Sequence, residues 1–192
     1  MVDLGKLTAA NLARWNAASV LPEWLRLVDS VVHRLVNSKQ RYITVENATH
    51  VPWPVIAVIH QRESSQSWFG SLAQGDPWNQ VSIHVPRGRG PFASWEAAAI
   101  DALTVCPPHA THWSDWSIGG ALTLLEQYNG LGYAGMGRPS PYVWSATDQY
   151  HSGKYTADGH YDPNVIDHQT GCAALLARMT LIDPAIAQEW HP

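Results

Sequence analysis

Apolar positions along this chain recur at helical spacing in several stretches and alternate like a strand in almost none. TAANLARWNAA at 8–18 fits a short amphipathic helix with Thr8 as its N-cap. After Pro22, the side chains of Trp24, Leu27, Val28, Val31, Val32 and Leu35 form one stripe, which predicts a helix over about 23–37. Residues 40–49 suit another helix, although Tyr42, Ile43, Thr44 and Val45 suit a strand equally well. VPWPVIAVIHQRES then places Pro54 near a helix start and Val55 to Ile59 in a buried run, and it delivers Glu63 at the C-terminal end.

Residues 64–93 are punctuated by Gly70, Gly75, Pro77, Pro86, Gly88, Gly90 and Pro91, so they read as irregular, with room for a hairpin around Val81–Val85. Ser94 caps the helix SWEAAAIDALTV, Glu96 sits at its positive end, and Pro107-Pro108 stops it. Ser114 or Asp115 caps WSIGGALTLLEQY, which Asn129-Gly130 terminates. Residues 130–164 read as a long loop, and a last helix spans about 165–180 with Val165, Ile166, Ala173, Leu175, Leu176 and Met179. The expected fold is a mainly α (or α+β) domain with a substrate cleft, a long aromatic loop and at most a small β-hairpin.

Composition narrows the function. A length of 192 residues suggests one domain at roughly 100–200 residues each. No run of about 18 apolar residues occurs, so no stable membrane insertion is expected. The N-terminus lacks the basic start and apolar stretch of a signal peptide. A net charge of -4 argues against nucleic acid as a partner. Cys106 and Cys172 read as buried thiols rather than a disulfide framework. Cys106, His109 and His112 are closely spaced, but no second ligand cluster answers them, so neither metal nor cofactor is expected. Ten tryptophans and seven tyrosines stand out; six of those tyrosines, Tyr128 to Tyr161, fall with Trp144 in the loop region or at its threshold, which argues for a cleft wall rather than disorder.

Six glutamates invite comparison. Glu23 and Glu96 complement helix dipoles, Glu46 and Glu189 have no distinctive surroundings, and Glu126 ends an apolar helix where it can brace the aromatic loop. Glu63 differs. A carboxyl at the end of a buried helix and facing a cleft has its charged form desolvated, which raises its pKa and suits it to general acid catalysis near neutrality. The plainer reading is a helix-end carboxylate paired with Arg62.

VIAVIHQRESSQ resembles the catalytic-helix segment of goose-type lysozymes and related peptidoglycan-cleaving enzymes, in which an apolar helix runs into Arg-Glu-Ser. A wider resemblance over about 54–180 is to phage-type lysozyme-like endolysins, carried by GDPWNQVSIHVPRGRGPF, SWEAAAIDAL and EQYNGLGYAGMGRPSPYVWSATDQYHSGKYTADG. It divides the chain into an N-terminal helical segment, 1–50, packed on a lysozyme-like catalytic domain, 51–192. The resemblance implies Glu63 as general acid with Ser64 beside it, and Asp76 in the GDP turn as a candidate base. Turn-making explains an Asp between Gly and Pro equally well.

The same resemblance places Tyr128 and Asn129 beside substrate. Tyr133, Tyr142, Trp144, Tyr150 and Tyr155 offer flat faces to sugar rings, while Asp148 and Asp158 can bond sugar hydroxyls or brace the loop. The expectation is a monomeric muramidase acting on peptidoglycan glycan strands: a phage or prophage endolysin made in the host cytoplasm and released to the wall by a holin. Open alternatives are a lytic transglycosylase, a chitinase or chitosanase using the same glutamate, and a wall-binding module without catalysis.

Overall fold

The computed structural model describes residues 2–73, 75–84, 86–157 and 159–190. Helix α1 spans Leu4–Ala17 and is capped by Asp3, whose carboxylate accepts from the Lys6 amide at 3.1 Å. It therefore starts four residues before the expected Thr8 cap; Thr8 instead donates its hydroxyl to Thr123 at 3.1 Å. A 3₁₀ turn, Pro22–Trp24, leads into α2, Leu25–Asn37. Val28, Val31, Val32 and Leu35 are buried as the stripe requires, whereas Leu27 lies off it and is 48% exposed. The ambiguous segment is helix α3, Lys39–Thr49, because Tyr42, Val45 and Thr49 bury one helical face.

Helix α4, Trp53–Ser64, begins at Pro52-Trp53-Pro54 and buries every residue from Trp53 to His60. Helix α5, Trp95–Val105, is capped as expected by Ser94, which accepts from the Ala97 amide at 3.1 Å. Helix α6 is Ile118–Tyr128. Its cap is Ser117 rather than Ser114 or Asp115; Asp115 orients that cap by accepting from the Ser117 amide at 3.1 Å and its hydroxyl at 2.6 Å.

The region 130–164 carries more structure than a loop. It holds two single-turn helices, α7 (Gly132–Gly135) and α8 (Pro141–Trp144), and an antiparallel pair, β1 (Lys154–Ala157) and β2 (His160–Asp162), with Tyr155 opposite Tyr161. The hairpin thus lies here and not around 81–85, where the Ser82 amide donates to Arg89 and the Gly88 amide to Ser82 in a turn; Val85 is outside the described residues. The last helix, α9, is Cys172–Ile182. It starts later than expected because Gly171 passes against the Ser145 and Val143 backbone, where a Cβ would meet the Ser145 carbonyl oxygen at 2.5 Å. Val165 accepts from the Gly153 amide in the preceding connection, and Ile166 is 47% exposed.

Helix α4 packs against α3, α6 and α9. Helix α3 packs on α4 and α5, α9 packs on α2, α4 and α8, and α1 lies along α6. The first fifty residues are thus joined to later helices through shared core, with Trp53, Trp95 and Trp144 fully buried inside it. Gly119 lets α1 approach α6: a Cβ there would stand 3.0 Å from the Thr8 carbonyl oxygen. Cys106 and Cys172 are both buried free thiols. No described helix is long and apolar enough to cross a membrane.

Ile56 sits at the centre of this packing with no exposed surface. Ile56→Ala is expected to lower the unfolding free energy by about 2–5 kcal/mol, through lost burial and the cavity left behind. Chemical denaturation measures it; a loss below about 1 kcal/mol would contradict the central place of α4.

Candidate active site

Eight buried residues of α4 carry the backbone to Glu63 in its last turn. Burial pushes the Glu63 carboxyl up to about 7, against partial opposition from Tyr142 and Arg62. The Tyr142 hydroxyl donates to Glu63 Oε1 at 2.9 Å. Arg62, next in sequence, turns elsewhere. Its Nη2 donates to Asp167 at 2.9 Å and its Nη1 to the Thr170 carbonyl at 3.3 Å, with the guanidinium 4.8 Å from the Tyr142 ring centre. Lys154 reaches the other Asp167 oxygen at 2.8 Å. Burial alone would raise Asp167, but these two cations hold it below the ordinary carboxylate range. The pairing of Glu63 with Arg62 that the plainer reading expects is therefore replaced by Arg62–Asp167.

A groove of about 350 Å³ opens beside this arrangement, lined by Arg62, Asn129, Tyr133, Tyr142, Lys154, Tyr155 and Asp167 among others. Four expected substrate contacts, Asn129, Tyr133, Tyr142 and Tyr155, thus share one wall. Tyr133 and Tyr142 are only about 5% and 4% exposed, so little of either ring is open to the groove. The Tyr133 hydroxyl accepts from the Tyr155 amide at 2.9 Å, tying β1 to α7. Asn129 Nδ2 donates to the Ser140 hydroxyl at 3.3 Å.

Other expected contacts are structural in this conformation. Trp144 is fully buried and offers no face to the groove. Tyr128 donates to the Leu72 carbonyl at 3.0 Å and anchors the 70s loop on α6. Ser64 donates back to the His60 carbonyl at 3.1 Å. Asp148 accepts from the Ser19 amide at 3.0 Å and latches the chain after α1. Tyr150 donates to the Gly153 carbonyl at 3.2 Å and accepts from the Asp167 amide at 3.1 Å. Asp158 lies outside the described residues.

Asp76 builds a loop. Its Oδ2 accepts from the Ile83 and His84 amides at 3.1 and 3.0 Å, and its Oδ1 lies 2.6 Å from His84 Nδ1. Burial pushes this carboxyl up, but the bonds from His84 and Ile83 outweigh that and hold it low. It lines a separate small cavity with Trp78, Arg89 and Asp101. Gly75, at φ +72°, brings the loop against α4, where a Cβ would stand 2.9 Å from the Glu63 carbonyl oxygen.

Several groups at the site carried no legible sequence signal. Asp167 fell inside the expected last helix, and Lys154 in the expected loop. His60 joins Tyr42 at 3.0 Å and the Ser67 carbonyl at 2.9 Å, and burial pulls it down to about 4, so it is neutral and structural. Gln66 extends that network, donating to Arg34 and Tyr42 across the turn that follows Glu63. Glu126, by contrast, was expected to brace the aromatic loop, but no hydrogen bond of good geometry does so: the residue is 1% exposed and neither of its oxygens finds such a partner. Burial pushes it up to about 7, with Arg14, Trp144 and Asn11 opposing in part. The chain matches no protein-family model, no curated protein and no solved structure.

Two outcomes follow from these carboxyls. The Tyr142 hydrogen bond favours ionised Glu63, so Tyr142→Phe is expected to raise the Glu63 pKa above its wild-type value, read by carbon NMR titration. A fall would contradict the assigned contact. Glu126 keeps its proton in the folded state while the unfolded chain releases it near 4.5, so its contribution to stability drops as pH rises from about 4.5 to 7. Glu126→Gln should remove that part of the slope, on the order of 3 kcal/mol across the window; parallel stability curves for the two proteins would refute it.

Proposed function

We propose that this chain cleaves the β-1,4 bond between N-acetylmuramic acid and N-acetylglucosamine in peptidoglycan, with Glu63 as general acid. The observation that carries the reading is a carboxyl pushed up to about 7, hydrogen-bonded by Tyr142 beside a tyrosine-lined groove. Such a group is still largely protonated at mildly acidic pH and can give its proton to the glycosidic oxygen as the C1–O bond breaks. The likeness of Arg62-Glu63-Ser64 to the goose-type catalytic segment supports the same role. The biological setting we propose is a phage or prophage endolysin, monomeric, released from the host cytoplasm to act on the wall.

In the hydrolytic version a base takes a proton from water, whose hydroxyl adds to C1 while the Glu63 proton completes the leaving sugar. Asp76 is the candidate base, but both of its oxygens already hold the 76–84 loop. That engagement favours a second reading, lytic transglycosylation. There Glu63, having lost its proton to the leaving oxygen, takes one from the muramic C6 hydroxyl, and that oxygen closes on C1. One carboxyl serves both steps and no water is consumed. Chitin or chitosan as substrate, and glycan binding without cleavage, are further outcomes of the same test.

Purified peptidoglycan digested with wild type, Glu63→Gln and Asp76→Asn, with products read by mass spectrometry, separates these readings. Glu63→Gln is expected to lose at least about 100-fold in rate, because the amide has no acidic proton. Wild-type turnover in that variant would overturn the mechanism. Reducing muramic ends with a large loss in Asp76→Asn mean hydrolysis with that base; anhydro-muramic ends with little loss mean transglycosylation. The kcat/KM profile should fall on the alkaline side of about pH 7 as free Glu63 loses its proton.

A further inference from the structure

We propose that a second cavity, between α1 and the turn after α7, binds a short peptide bearing free carboxylates: the stem peptide that branches from the wall glycan. The choice of peptide rests on the glycan-cleaving reading above; the anionic, amphipathic character of the ligand rests on the cavity alone.

The cavity holds about 490 Å³, within the range of roughly 300–1,000 Å³ typical of small-ligand sites. Leu7 and Ala10 contribute apolar surface, and Lys6, Arg14 and Arg138 bring three cations from two separate elements. The acid in its lining, Asp3, is already occupied: it caps α1 through the Lys6 amide at 3.1 Å and lies 3.9 Å from the Lys6 ammonium. This is a local inversion of sign in a chain of net charge -4. Elsewhere six of the nine cations, Lys39, Arg41, Arg62, Arg89, Lys154 and Arg178, are each matched to a carboxylate, while among the described residues Arg26, Arg34 and Arg87 stand singly and do not cluster at a cavity with one another. Among the described residues no carboxylate lies within ion-pair distance of Arg14. The carboxyl behind it, Glu126, is held toward its neutral form by burial.

Position links this cavity to the groove. Asn129 and Tyr133 line the groove, while Ala134, Gly135, Gly137 and Arg138, next along the chain, line the second cavity. Arg138 donates to the Tyr161 hydroxyl at 2.8 Å, and the Tyr161 ring packs at 6.2 and 5.5 Å from Tyr133 and Tyr155. That bond holds one guanidinium at the boundary before any ligand arrives. Guanidinium forks pair carboxylates in two parallel bonds, and an apolar floor suits alanine methyls better than it suits a bare phosphate.

Calorimetric titration of a free stem tetrapeptide into wild type and Arg14→Gln/Arg138→Gln tests the site without needing turnover. Wild type is expected to bind it saturably, with affinity that weakens as salt rises, and the double variant to bind at least about tenfold more weakly. A thermal transition like that of wild type shows that the double variant folds. Absence of binding to wild type, or equal binding by both proteins, overturns the proposal. Inorganic phosphate that displaces the peptide at equal concentration would reduce the cavity to an anion site and overturn the peptide assignment. Peptide binding in a protein that releases no glycan product would count against the catalytic reading and leave this site standing.

Discussion

Arg62 and Glu63 are neighbours at the end of α4, yet only one of them has a charged partner. The Arg62 side chain is 6% exposed and Asp167 is 1% exposed, so this pair is desolvated and each member depends on the other. Because the guanidinium is drawn to Asp167, it opposes the upward shift of Glu63 only in part. The same aspartate collects Lys154 from β1, and its amide donates to the Tyr150 hydroxyl. One buried ion pair thereby joins the central helix, the small hairpin and the approach to α9, and it separates an anionic anchor that lines the groove from an acidic proton donor held beside the groove by Tyr142.

The turn that follows Glu63 shows how such a donor is held in place. Ser65 and Gln66 both adopt positive φ, a costly conformation for residues with side chains. The cost is offset by Gln66 bonding Arg34 and Tyr42, and by neutral His60 bridging Tyr42 to the Ser67 carbonyl. Trp68 and Trp95 close around His60, and Arg41 stacks on Trp68 at 3.8 Å while pairing with Glu96. Gly70 and Gly75 then bring the next loop back against the end of the helix. The turn after the carboxyl is thus held by an aromatic box, and the carboxyl itself by Tyr142.

Much of the helical framework was legible beforehand, because apolar spacing is a local property of the chain. The stripe at Val28, Val31, Val32 and Leu35, the buried run of α4 and the Ser94 cap all depend on neighbours within one or two turns. Boundaries set by distant partners were not legible. The start of α9 is governed by Gly171 passing over Ser145, and the place of the hairpin by Tyr133 accepting from the Tyr155 amide. Trp144 and Tyr155 look alike as aromatic residues in one loop, yet the first is core and the second lines the groove.

Sequence alone therefore determined a mainly helical protein, a buried helix ending in Arg-Glu-Ser, and a tyrosine-rich region beside it. Tertiary structure decided which carboxyl stays protonated and which is ionised. That decision depends on desolvation and on partners far along the chain: Arg62 meets Asp167, Glu63 meets Tyr142, and Asp76 meets His84. The energy of a charge is set by what surrounds it in space, and residue order records those surroundings only where they are local.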